Sequence, residues 1–248
     1  MSSSLILPRE NLIKRFLKKA DVLLTVCTHR TIDVDVMRSI MNLAAQTKHN
    51  FVWSPVRGDA LIDRARSRVA SYFLLDRTED VLLFIDDDIV FEPADAIKLI
   101  DCVVNGADVA GANYLQKGTL EKTYVPFDGQ SVTFSKDAKP VEVEAVSSGF
   151  MAIHRRVFEK LSKTVPLCHP GTLNFYPFFQ PYPTEKNGRW IYLSEDWALC
   201  TKARDAGFKI FLDPSIYLGH KGEYVYNFAD KVRQPKIDVH TLESLTFK

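Results

Sequence analysis

No apolar run in this sequence can cross a bilayer. The longest, such as Val81 to Ile85, fall far short of the roughly 20 residues a spanning helix needs. The N-terminus meets charge early, at Arg9, Glu10, Lys14 and Arg15, and so lacks the apolar core of a secretory signal. An excess of one charge is also missing. With 32 basic and 31 acidic residues the formal net charge is +1, which gives no electrostatic argument for a nucleic-acid or anionic-membrane partner. The four cysteines (Cys27, Cys102, Cys168 and Cys200) form no CxxC pair. Buried thiols in a reduced compartment are therefore expected, the cytoplasm of a bacterium or of a host if the chain is viral. Internal repeats and low-complexity segments are absent too, which excludes solenoid and fibrous architectures.

What is present suits a globular domain. A chain of 248 residues, 46% hydrophobic and 25% charged, can bury a sizeable core within one domain. The segment Asn11 to Lys19 places Leu12, Ile13, Phe16 and Leu17 on one helical stripe with lysines opposite. A helix docked on the domain is the expectation there, with membrane contact the alternative.

The first half alternates short apolar runs with helical patterns. Strands are expected over Val22 to Cys27, Phe51 to Ser54, Val81 to Ile85 and Ala107 to Ala112. Helices are expected over Val34 to Gln46, Ala60 to Leu75 and Pro93 to Val104. Such alternation predicts an α/β fold with a Rossmann-like, mostly parallel central sheet flanked by helices. Ligands bind beyond the carboxyl ends of the strands of such sheets, where Thr28-His29-Arg30 and Asp86-Asp87-Asp88 would sit. The second half reads differently. Lys122 to Phe134 and Val141 to Ile153 look extended or hairpin-like, and a short helix starts at Arg155. Thr164 to Gly188 carries five prolines and Phe175, Tyr176, Phe178, Phe179 and Tyr182. A loop of that length is usually functional; its aromatics suit stacking on sugars or bases, or packing over a sheet edge. A helix follows from Ser194 to Gly207, then strands over Lys209 to Leu212 and Tyr217 to His220.

Asp86, Asp87 and Asp88 close a core strand, and three adjacent carboxylates repel one another unless a cation neutralises them. Mg²⁺ or Mn²⁺ suits such oxygen ligands and bridges them to phosphates. Alternation along an extended chain would aim Asp86 and Asp88 to one side and Asp87 to the other. Glu195 and Asp196 open a helix, where carboxylates satisfy free N–H groups; either could also serve as a general base. His220 reads as a structural histidine or a ligand. Arg64 and Arg68 lie a turn apart on a helix that follows Gly58-Asp59, a reasonable phosphate or nucleotide site.

Together these motifs, over Val22 to His220, resemble the GT-A glycosyltransferase superfamily, particularly its family-2-like and viral or phage-type members. Asp86-Asp87-Asp88 is similar to the DxD motif, and Ser194-Glu195-Asp196 to the xED helix start. Ser148-Gly149-Phe150-Met151 looks like the segment lining the donor sugar and acceptor. Arg57-Gly58-Asp59 through Arg68 is similar to the nucleotide-contacting segment, and His220 stands where the family's metal-binding histidine belongs. The first-strand loop departs from the pattern, reading Thr28-His29-Arg30 in place of Pro-x-Tyr/Phe-Asn. The Gln-x-x-Arg-Trp motif of processive synthases is absent, which points to single transfer.

The resemblance implies a single GT-A domain with a nucleotide-binding half over about 20–115, an acceptor half with a smaller β region over about 116–222, and a tail over 223–248. It further implies a hexosyl or pentosyl transfer from a nucleotide sugar, a UDP-sugar first, to an acceptor hydroxyl with inversion. The acceptor expected is a glycan rather than a modified base in DNA. Mn²⁺ or Mg²⁺ would be held by Asp86, Asp88 and His220, with Asp196 as base beside Glu195. Thr28, His29, Arg30, Asp59, Arg64, Asp86, Asp87 and Gly149 would contact the donor. Three other readings compete, a nucleotidyltransferase, a metal-dependent hydrolase and a non-catalytic nucleotide-sugar-binding module. The first usually opens with a glycine-rich loop and lysine after its first strand, whereas Cys27-Thr28-His29-Arg30 has no glycine.

Overall fold

The computed structural model describes residues 19–115, 117, 132–171, 173–222, 225–227 and 236–237. The stripe from Asn11, most of Lys122 to Phe134 and most of the tail lie outside them.

Strands β1 (Asp21–Thr28), β2 (Asn50–Trp53), β3 (Val56–Arg57), β4 (Val81–Asp86), β6 (Val109–Gly111), β8 (Val141–Val143), β9 (Phe150–His154) and β12 (Ile210–Leu212) form one eight-stranded sheet in the order β2-β1-β4-β9-β6-β12-β8, with β3 beside β1. β1 pairs in parallel with β2, β3 and β4, and β12 with β6. β9 runs antiparallel between β4 and β6, and β8 antiparallel at the edge. The expected mostly parallel sheet is present. The extended stretch over Val141 to Ile153, however, is no hairpin: its two ends join the sheet at separate places, because β9 pairs with the buried β4 rather than with β8.

Alternation along the strands divides the core. Leu82 and Phe84 of β4 face one layer, with α2 (Ile62–Asp76), α4 (Arg155–Leu161) and α5 (Glu195–Asp205). Val81, Leu83 and Ile85 face the other, with α1 (Val34–Gln46) and α3 (Pro93–Val104). Both faces are apolar because both are covered. α3 opens on Pro93 with a capping box between Glu92 and Asp95. α5 ends where Gly207 takes φ 89°, the left-handed geometry that favours glycine after a helix.

Smaller antiparallel sheets complete the fold. β5 (Ile89–Val90) pairs with β13 (Gly219–Lys221), which pairs with β14 (Val225–Asn227), and β7 (Val132–Thr133) pairs with β15 (Lys236–Ile237). The segment Thr164 to Gly188 is not one long loop. Phe178 and Phe179 are fully buried in the core, and Tyr182–Lys186 forms β10, paired with β11 (Arg189–Leu193). Asn187 and Gly188 link the two at φ 54° and 74°, the two positive angles a tight hairpin turn requires. Proline content hid a core segment and a hairpin. No helix among the described residues is long and apolar enough to cross a membrane.

Candidate active site at the carboxyl edge of the sheet

Parallel pairing sets Cys27 beside Asp86 and Thr28 beside Arg57, so the ends of β1, β3 and β4 share one edge. His29 and Arg30 are exposed just beyond it. Asp86 N–H donates to the Gly149 carbonyl at 2.9 Å, which brings the start of β9 to the same place. A Cβ on residue 149 would stand 2.3 Å from Tyr114 Oη and 2.9 Å from Asp86 Oδ2, so only glycine fits against both groups.

The three aspartates take three different environments. β4 ends at Asp86, and the chain turns through Asp87 and Asp88 before β5. The alternation expected of an extended chain therefore fails here. Asp33 N–H bonds the Asp87 carbonyl at 3.2 Å and Lys221 N–H the Asp88 carbonyl at 2.8 Å, pinning the turn. Asp86 faces Arg66, whose Nη2 lies 2.5 Å from its Oδ1. Burial pushes the Asp87 carboxyl above its ordinary range; Thr28 opposes this and the charges of Asp88 and Asp86 add to it. Asp88 faces His220 Nε2 at 3.5 Å and Lys117 Nζ at 2.5 Å. Burial works against its charge, but those two partners hold its carboxyl below the usual range.

His220 reaches this point because β13 pairs with β5, opposite Ile89. Its Nδ1 lies 2.7 Å from the Leu115 carbonyl. A carbonyl only accepts, so Nδ1 carries a proton, and Nε2 is the ring nitrogen directed at Asp88. The ring also stands edge-on to Tyr114, centroids 4.9 Å apart. A carboxylate and an imidazole with a fixed tautomer suit a divalent cation. Lys117 supplies the counter-charge among the described residues, where no group of three or more His, Cys, Asp or Glu is arranged to hold a metal.

Glu195 and Asp196 diverge at the start of α5. Glu195 Oε1 lies 2.6 Å from Arg66 Nη1; burial raises its carboxyl, Asp196 adds to this and Arg66 opposes it. Asp196 Oδ1 accepts from Trp197 N–H at 2.8 Å and from the Ser194 hydroxyl. Support for the helix start thus comes from Asp196, while Glu195 reaches across to α2. The Ser194 side chain itself makes no cap bond to the backbone.

Asp59 and Arg64 are bonded to each other by three contacts at 2.7 to 3.1 Å, and Arg68 adds a fourth at 3.2 Å. The Asp59 carboxyl is held below its usual range, first by Arg64. The arginine that enters the site is Arg66, 3% exposed, which sequence reasoning passed over. Burial opposes its charge, but Asp86 and Glu195 outweigh that and hold it protonated. The signal was available: positions 66, 69, 70 and 73 make an apolar helical stripe with Val69, Ala70 and Phe73, and an arginine on such a stripe must be buried and paired. Arg64 and Arg68 lie off it. Lys117 and Tyr114 carried no comparable signal, since each reaches the site only through the fold.

No family model matches this chain, and no curated protein does. Among solved structures it is similar to the crystal structure of A197 from STIV, at 17% identity and a TM-score of 0.53, over 82% of this chain and 86% of that one. It is also similar to the inositol-1-phosphate CTP transferase from T. maritima, at 10% identity and a TM-score of 0.39 over 77% and 84% of the two chains. A third is the 4-diphosphocytidyl-2C-methyl-D-erythritol synthase from Anaerococcus prevotii, at 10% identity and a TM-score of 0.33 over 58% and 76%. Of these, the likeness to A197 bears on the fold and the other two add no argument.

Proposed function

We propose that this chain is a metal-dependent glycosyltransferase of GT-A type, moving a sugar from a nucleotide-sugar donor, a UDP-sugar first, to the hydroxyl of a glycan acceptor with inversion. One observation carries the reading: Asp88 with Nε2 of His220, and Asp86 with Arg66 and Glu195, meet at the carboxyl edge of the sheet where ligands of such folds bind.

Asp88 and His220 would hold Mn²⁺ or Mg²⁺, with Asp86 directly or through water. The chemistry such a cation would supply there is charge neutralisation of a leaving diphosphate. Thr28, His29 and Arg30 border the nucleotide, and the Asp59–Arg64 pair flanks it. Asp87 would contact the ribose or the donor sugar. Gly149 would line the donor sugar beside Asp86, its missing side chain letting Tyr114 and Asp86 close on the backbone. Asp196 takes the proton of the attacking hydroxyl, and Arg66 keeps Asp86 and Glu195 from repelling one another.

The test is a donor screen across UDP-, GDP-, TDP- and CMP-sugars, with and without Mn²⁺, reading release of the nucleotide. Metal-dependent release from one sugar nucleotide is the expected result. Pyrophosphate release from a nucleoside triphosphate would instead identify nucleotidyl transfer, and tight donor binding without any turnover would identify a binding module.

A further inference from the structure

The β10–β11 hairpin has two unlike faces. Tyr182, Thr184 and Ile191 are half-buried and Leu193 is buried, and Lys202 of α5 stands 5.3 Å from the Tyr182 ring. That side packs on the protein. The register sets Pro183 opposite Tyr192 and Glu185 opposite Trp190, and directly opposed residues of an antiparallel pair share a face. All four are exposed, Trp190 by 75% and Tyr192 by 68%. Two large rings thus stand side by side in solvent, about 7 Å apart along one strand. They share a short hairpin whose other face is anchored. A contiguous exposed apolar patch of this kind marks a binding surface more than a lone exposed side chain does.

Its place and its chemistry select the occupant. Tyr192 precedes Glu195 by three residues, so their Cα atoms lie no more than about 11 Å apart, and Trp190 no more than about 18 Å from it. The patch therefore lies within that reach of the proposed reaction centre. A pyranose ring offers a C–H face that packs on an indole or phenol and an edge of hydroxyls that needs acceptors. The Glu185 carboxylate, directly across from Trp190, supplies them.

We infer that Trp190 and Tyr192 form a stacking platform for the sugar rings of a glycan acceptor, with Glu185 accepting hydrogen bonds from ring hydroxyls at its edge. The acceptor role rests on the transferase reading; the binding itself does not. The two rings lie just beyond the aromatic segment singled out in the sequence, whose Phe178 and Phe179 are buried in the core.

The test uses the full chain without donor or metal. It is titrated with oligosaccharides of glucose, mannose, galactose and N-acetylglucosamine, and separately with a single-stranded oligonucleotide, by ligand-observed NMR. At least one oligosaccharide binds. Trp190→Ala weakens it by about tenfold or more, Tyr192→Ala by less, and Trp190→Phe restores most of it. Met41→Ala, a similarly exposed apolar residue on α1 at 67%, changes nothing. All these side chains are exposed, so melting temperatures stay at the parent value. Failure of every oligosaccharide to bind, unchanged affinity in Trp190→Ala, Trp190-dependent binding of the oligonucleotide, or loss of self-association as the only effect would each overturn the platform. Trp190-dependent glycan binding by a protein that turns over no nucleotide sugar would remove the transferase reading and leave the platform standing. Turnover that survives Trp190→Ala with an unchanged acceptor KM would do the reverse.

Discussion

Arg66 Nη2 lies 2.5 Å from Asp86 Oδ1, joining the buried side of α2 to the last residue of the central strand β4. Its other terminal nitrogen holds Glu195 at 2.6 Å. One guanidinium therefore ties the consecutive elements α2 and β4 to the distant α5, and it does so where two carboxylates would otherwise confront each other.

Removing that cation takes from both carboxylates, each only partly exposed, the buried partner they share. Arg66→Met should lower unfolding free energy by about 3–5 kcal/mol, the usual range for breaking a buried pair, read by urea denaturation. Arg66→Lys should recover only part, because a single ammonium cannot present a planar fork to two carboxylates. Parent-like stability in Arg66→Met would show that this pairing does not join the elements.

Lys117 competes with any cation for Asp88, since both need the same oxygen. Calorimetric titration with Mn²⁺ should show tighter binding in Lys117→Ala and none in Asp88→Ala. His220→Ala should lose metal affinity and also lower the melting temperature, because the ring is bonded to Leu115 and packed on Tyr114. Unchanged Mn²⁺ affinity in both Asp88→Ala and His220→Ala would remove the metal assignment.

The two acidic residues of α5 should separate by function. Asp196→Asn preserves shape and is expected to lower kcat by about a hundredfold or more, the range for losing a general base, with donor affinity kept. Glu195→Gln should cost stability more than turnover, since it takes one anion from Arg66. The reverse pattern, with Asp196→Asn tolerated and Glu195→Gln inactive, would move the base to Glu195.

Gly149→Ala should destabilise by about 1–3 kcal/mol, as overpacking does in a closed site, because its Cβ would meet Tyr114 Oη at 2.3 Å. Tyr114→Phe in the same chain removes that closest contact and should restore part of the loss. If the double variant is no better than Gly149→Ala alone, the clash with the phenol is not the cause.

Helix α1 coincides with the span that periodicity predicts, and α3 does so as well, starting at its proline. Both carry one clear apolar stripe. β4 was equally legible, as a continuous apolar run that only a strand covered on both faces can carry. Errors gathered where a local pattern met a non-local partner. The five prolines of Thr164 to Gly188 read as loop, yet Phe178 and Phe179 found space in the core and the chain beyond them paired as a hairpin. Asp86 to Asp88 read as an extended triplet, yet backbone bonds from Asp33 and Lys221, distant in sequence, bend it.

The amino-acid sequence by itself determined the α/β layering, the strand ends on which Thr28 and Asp86 sit, and the residue types gathered there, because periodicity and adjacency are local properties. Only the tertiary structure decided who partners whom. Arg66 rather than Arg64 enters the site because burial on α2 follows from which side meets the sheet. Asp88 meets His220 because β13 pairs with β5, and Glu195 turns to Arg66 because α5 packs in the same layer as α2. Those choices depend on hydrogen-bond register and on side-chain volume between elements up to 130 or so residues apart, which no local pattern encodes.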